Sequence, residues 1–139
     1  MRKGQVSTEL LVVIGFVVLL FIPLIMLVYY KTSELNRDID GMQSRLLTSK
    51  LAFIANSLGY MGSGNALKSE FTLPDRVRTL EFRPLGAGGG EVLITLSDGS
   101  QVSQVTSFPF DSPMKYSGGN SYKLEFFSNG GIIYVKSSA

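Results

Sequence analysis

The stretch Leu10–Tyr30, LLVVIGFVVLLFIPLIMLVYY, carries no charged residue, and its reading decides how the rest of the chain is organised. Roughly twenty apolar residues, rising about 1.5 Å each as a helix, just cross a hydrocarbon core of roughly 30 Å. The run is therefore expected to be a membrane-spanning helix. A cleavable secretory signal has an apolar core of about 7–15 residues closed by small residues, whereas this run is longer and passes into KTSELNRD. Arg2 and Lys3 on one flank, against the mixed Lys31, Glu34, Arg37, Asp38 and Asp40 on the other, predict a cytoplasmic N-terminus with the bulk of the chain outside. Tyr29 and Tyr30 fall where an aromatic belt meets the outer interface.

Working outward towards the C-terminus, nothing stops the helix until GYMGSGN at 59–65; residues 31–58 contain no proline and one glycine, Gly41. Apolar residues recur there at helical spacing in two rows. Leu35, Ile39, Met42, Leu46 and Phe53 form one; Leu47, Leu51, Ile54 and Leu58 form the other. The first row is expected to lie against a sheet. The second is either a surface for neighbouring subunits or is covered by the same sheet. The whole helix would run roughly fifty residues, or about 75 Å.

The remainder alternates with period two in VRTLEF (77–82), EVLITL (91–96), QVSQVT (101–106), YKLEFF (122–127) and GIIYVK (131–136). SDGS at 97–100 and SNGG at 128–131 signal tight hairpins through Asp-Gly and Asn-Gly. GAGGG (86–90) and FPFDSPMKYSGGNS (108–121) read as loops. Five or six mostly antiparallel strands are expected, giving an α+β fold in which a long N-terminal helix packs on a β head. The organisation expected is 1–4 leader, 5–30 apolar helix, 31–58 amphipathic extension, 59–69 glycine-rich linker and 70–139 β head.

Composition narrows the chemistry. There is no cysteine and no histidine among the 139 residues, so disulfides, thiolate catalysis and the commonest general base and metal ligand are missing. Of 13 Lys and Arg against 11 Asp and Glu, Arg2 and Lys3 supply the whole excess, so no nucleic-acid partner is indicated. Glu70, Asp75, Glu81, Glu91, Asp98, Asp111 and Glu125 are scattered without an EF-hand, phosphate-loop or nucleophile-elbow pattern. No catalytic residue, metal site or cofactor is expected, and no Asn-x-Ser/Thr sequon occurs.

Glu9, directly before the apolar run, needs its own account. A charge at the centre of a lone spanning helix costs roughly 2.5–3.5 kcal/mol, and far less near the interface. Glu9 could simply meet the headgroups in the first helical turn, with Ser7 as N-cap and the helix dipole favouring the carboxylate. The order Arg2-Lys3-Gly4, then Gln5-Val-Ser7-Thr-Glu9, then about twenty apolar residues, also resembles the class III signal peptide of archaeal type IV pilin precursors. In that family a short basic leader ends in Gly and is followed by Gln, any residue, Ser, any residue and Glu. The resemblance covers residues 1 to about 30, and Val13 stands where the family often has Leu.

The resemblance implies cleavage between Gly4 and Gln5 by a prepilin peptidase, with Arg2, Lys3 and Ser7 serving recognition and orientation. It implies that Glu9 pairs with the new amine of a neighbouring subunit, that the apolar helix leaves the membrane for the core of a surface filament, and that an assembly ATPase and a platform protein act indirectly. Partners would be other copies, other pilins and, before assembly, the membrane. Pro23 would kink or locally loosen the helix, as in pilins or as tolerated in membrane helices generally. Gly15 could allow close helix approach but lacks a small-xxx-small pattern. Three readings follow: a major or minor pilin serving adhesion, a pilin-like component of a secretion or uptake assembly, and an uncleaved single-pass anchor displaying a ligand-binding β domain. An enzyme is disfavoured.

Overall fold

The computed structural model describes the backbone of residues 2–86 and 88–137, with side chains from Ser7 onward. One helix, α1 (Arg2–Met61), precedes seven strands: β1 (Ala66–Thr72), β2 (Val77–Leu85), β3 (Gly89–Leu96), β4 (Gln101–Thr106), β5 (Met114–Ser117), β6 (Ser121–Asn129) and β7 (Ile132–Ser137). The chain divides into two units, 1–39 and 40–139. The first is helix alone. The second holds the end of α1 and all the strands, and is α+β as expected.

The strands make two antiparallel sheets, β1-β6-β7 and β4-β3-β2-β5, where a single sheet was expected. Both sheets and the last turns of α1 contribute to one core. Phe82 of the larger sheet and Phe126 of the smaller meet edge to face at 5.8 Å, with Phe110 and Tyr116 also on the Phe82 ring. Leu51, Ala52, Ile54, Ala55 and Leu58 close this core from the helix side.

That helix face corrects the sequence reading. The row Leu47, Leu51, Ile54 and Leu58 faces the sheets, while Leu35, Ile39, Met42, Leu46 and Phe53 are all exposed. The flanks explain the choice. Ser44, Thr48, Ala52 and Ala55, all buried, surround the inward row and let the helix approach closely. Thr48 Oγ1 donates to the Ser44 carbonyl at 2.6 Å, so the buried hydroxyl is satisfied within the helix. The outward row is bordered by Asp38, Arg45 and Lys50, whose burial unpaired would cost far more than the apolar contact returns.

Two strands were missed. β1 begins inside the expected linker, and its burial alternates only at Ser69 and Phe71, so its apolar signal is weak. β5 lies inside the expected loop between Pro113 and Gly118. The glycine-rich segment after α1 is tied down: Gly64 N–H donates to the Ser128 carbonyl, Ser128 N–H to the Asn65 carbonyl, and Gly130 N–H to Ser63 Oγ. The helix itself ends at Met61, where the Asn65 side-chain amide donates to the Met61 carbonyl.

The hairpins form where expected but with different central residues. Gly130 and Gly131 both have positive φ between the paired Asn129 and Ile132, so the two-residue turn is Gly-Gly, one step beyond Asn-Gly. At 97–99 Gly99 alone has positive φ, and Gly99 N–H donates to the Leu96 carbonyl, a type I turn closed by a glycine bulge. GAGGG is only partly a loop. Gly89 and Gly90 open β3, and a Cβ on Gly90 would stand 2.6 Å from both the Phe110 ring and Thr106 Oγ1, so a side chain is excluded where residues 106–110 cross the strand.

Candidate functional site

The described residues of the unit 1–39 present a largely apolar surface. Every described side chain from Ser7 to Ile39 is exposed, including all of Leu10–Tyr30. Monomeric soluble proteins keep contiguous apolar patches to a few hundred Å²; a helix apolar on all sides needs lipid or other helices around it. The segment is long and apolar enough to cross a membrane.

Ser7 and Glu9 lie well inside the helix, which already begins at Arg2. Ser7 is therefore not its N-cap, and the headgroup reading of Glu9 loses the first-turn dipole term. Glu9 is exposed on the same surface as Thr8, Val12 and Val13: a carboxylate on the border of a wholly apolar cylinder. The side chains of Arg2, Lys3, Gly4 and Gln5 lie outside the described residues. Pro23 sits within a continuous α-helix. Its ring leaves the Leu19 carbonyl without a helical donor. A Cβ on Gly15 would meet nothing within 4 Å. Beyond the apolar run, Lys31 pairs with Glu34 at 2.8 Å and Thr32 Oγ1 donates back to the Val28 carbonyl; polar chemistry returns within one turn of Tyr30.

In the unit 40–139 an outward face of α1 carries Met42, Leu46, Phe53 and Tyr60, the last three about three-quarters exposed. Their spacing follows the seven-residue period in which Leu35 and Ile39 also fall, with Ser49 and Asn56 at the remaining positions. A sustained 3.5-residue apolar repeat is the pattern by which one helix packs along another. Tyr60 also meets Phe108 edge to face at 5.0 Å.

The head's acidic residues are spread over strand faces and turns. Glu70 pairs with Lys123 at 3.7 Å and Glu125 with Lys68 at 4.0 Å across β1 and β6. Glu81 accepts from Arg83 Nε at 2.9 Å and faces Lys115 at 3.2 Å; the Arg83 guanidinium first, then Lys115, hold its carboxyl below the usual range. Asp98 Oδ1 accepts from the Ser100 amide, shaping the turn. Tyr116 is pushed up by burial and by Tyr122, which stands 5.0 Å away ring to ring. Among the described residues no three acidic side chains converge as metal ligands would. A polar groove of about 350 Å³ runs between Arg45, Thr48 and Ser49 of α1 and residues 101–104 of β4. Sequence reasoning missed this edge. At its end Asn56 Oδ1 accepts from the Ser107 amide, a contact between residues distant in sequence that periodicity does not signal.

The chain matches no family model, no curated protein and no solved structure.

Proposed function

We propose that this chain is a structural subunit of an archaeal type IV pilus-like surface filament, major or minor, with surface adhesion as its role. One observation carries the reading: a helix exposed and apolar on every side from Leu10 to Tyr30, followed in the head by an outward apolar row at helix-packing spacing. The precursor is held in the membrane with its N-terminus in the cytoplasm and the head outside. A prepilin peptidase cuts between Gly4 and Gln5, removing Arg2 and Lys3. The helix then leaves lipid for the one other dry environment available, the same helix of neighbouring copies, in an open head-to-tail array.

In that array Glu9 pairs with the Gln5 amine that cleavage creates on a neighbour. A carboxylate and an ammonium entering an apolar core each need the other, because removing either partner of a buried pair costs roughly 3–5 kcal/mol. Met42, Leu46 and Phe53 take the intersubunit role first considered for the opposite row.

The test is the N-terminal peptide of the protein recovered from sheared filaments and from membranes. A terminus at Gln5 in filaments is expected. An intact Met1 or Arg2 terminus confined to membranes would overturn the reading in favour of an uncleaved anchor.

A further inference from the structure

The turn between β6 and β7 contains a sequence open to spontaneous chemistry. Of the asparagines in the chain, Asn36, Asn56, Asn65, Asn120 and Asn129, only Asn129 is followed by glycine. The main-chain nitrogen of the residue after an asparagine can attack the side-chain Cγ, and a glycine there has no Cβ to hinder the approach. The N–Cγ bond forms, the bond from Cγ to the side-chain nitrogen breaks, and that nitrogen leaves as ammonia, taking the amide proton with it. Water then opens the resulting succinimide at one of its two carbonyls. The product is aspartate or, with the main chain rerouted through Cβ, isoaspartate. Water is the sole reagent consumed.

The fold exposes one half of this pair and holds the other. Asn129 and Gly130 are both exposed, and the Asn129 carboxamide has no hydrogen-bond partner among the described residues. The nitrogen that would attack it is engaged: Gly130 N–H donates to Ser63 Oγ at 2.8 Å. Ser63 belongs to the segment leaving α1, 67 residues earlier in the chain. Two further bonds pin that segment beside the turn, from Gly64 N–H to the Ser128 carbonyl at 3.0 Å and from Ser128 N–H to the Asn65 carbonyl at 3.1 Å. Asn129 is also fixed by its ladder pairing with Ile132. To react, the Gly130 nitrogen must give up its proton and its peptide plane must rotate towards Cγ. The bond to Ser63 opposes both.

We propose that Asn129–Gly130 is a site of spontaneous succinimide and isoaspartate formation, and that Ser63 holds the Gly130 nitrogen back, so that release of residues 63–65 sets the rate. Ser63, Gly64 and Asn65 are all exposed, and exposed connections open far more readily than a core. Their release needs no unfolding of the sheets. The consequence of reaction is structural. An isoaspartyl link adds one main-chain atom at a two-residue turn, whose length fixes the register of the strands it joins. A slip there reaches Ile133 and Val135 of β7, both buried in the core. This assignment stands on the head alone and is independent of the filament reading.

The test incubates the full detergent-solubilised chain at mildly alkaline pH, below the unfolding midpoint of every variant used. Conversion at Asn129 is followed by peptide-mapping mass spectrometry with an enzymatic isoaspartate assay. Wild type should convert roughly tenfold or more slowly than the same chain unfolded in urea; equal rates would overturn the protection, and no conversion even in urea would remove the site. Ser63→Ala should speed conversion roughly threefold or more, with the gain confined to Asn129, while Ser63→Thr, which keeps a hydroxyl, should stay near the wild-type rate. Leu51→Ala, which weakens the core without touching the turn, should also stay near wild type. Ser63→Ala at the wild-type rate, or Ser63→Thr as fast as Ser63→Ala, would overturn the role of the hydroxyl. Leu51→Ala as fast as Ser63→Ala would overturn it too, since the rate would then follow global unfolding.

Discussion

Leu51→Ala and Leu46→Ala delete the same atoms five residues apart on one helix, and the structure assigns them opposite consequences. Leu51 is fully buried between α1 and the sheets, whereas Leu46 is 73% exposed. Truncating a buried leucine costs about 2–5 kcal/mol, depending on how far the site collapses. Here the helix backbone and the Phe82–Phe126 pair resist collapse, so about 3 kcal/mol is expected. For a unit of this size each kcal/mol moves the midpoint by roughly 4–8 °C, so Leu51→Ala should lower it by roughly 12–24 °C. Leu46→Ala loses no helix propensity and should stay within about 0.5 kcal/mol. The assay is thermal unfolding of the detergent-solubilised chain, followed by near-ultraviolet circular dichroism of the tyrosines, four of which lie outside Leu10–Tyr30. Equal shifts for the two variants, or a larger one for Leu46→Ala, would refute the facing of the helix.

Glu9→Ala should leave insertion and cleavage intact and reduce incorporation into filaments, measured by immunoblot of sheared and membrane fractions; full incorporation would remove the charge pairing. Gly4→Leu should hold uncut precursor in the membrane, and normal maturation would place the cut elsewhere. Gly59→Ala would set a methyl 2.1 Å from the Phe108 ring; displacing that ring should cost about 1–3 kcal/mol, partly offset by about 1 kcal/mol of helix propensity, seen as a lower unfolding midpoint. Glu81, its pKa depressed by Arg83 and Lys115, adds stability above the ordinary carboxylate range that is lost as pH falls through its folded value; the stability gap between wild type and Glu81→Gln should therefore shrink from pH 7 towards pH 3 in urea titrations, and a constant gap would show that the cluster contributes nothing.

The long helix and the five strongest strands were legible because each announces itself locally: an uninterrupted apolar run, then period-two alternation of β-branched and aromatic residues. β5 was not, since MKYS is short, follows Pro113, and is held as a strand by pairing with β2 from Thr79 to Phe82. Two sheets in place of one follow from long-range pairing that periodicity does not encode. The helix facing was misjudged by counting large apolar residues alone. Ser44, Thr48, Ala52 and Ala55 on one side, and Arg45 and Lys50 on the other, held the answer, because a helix goes down on the face whose neighbours are cheap to bury. Glu9 and Pro23 both lie within α1, and so does Ser7, which local pattern had marked as the helix N-cap.

The distribution of residues along α1 separates two tasks within a single element. The residues that fold the head, Leu51, Ala55 and Leu58 among them, face the sheets; Met42, Leu46 and Phe53 face away, and charged or polar side chains border them. An apolar row that served the head would need a core to pack on. This outward row has no such core, and leaving it in water forgoes roughly 25 cal/mol for each Å² of apolar surface. A partner helix is the arrangement that recovers that term without disturbing the head. It follows that substitutions on the outward row should weaken assembly at constant head stability, while those on the inward row should do the reverse, and a double substitution across the two faces should be additive.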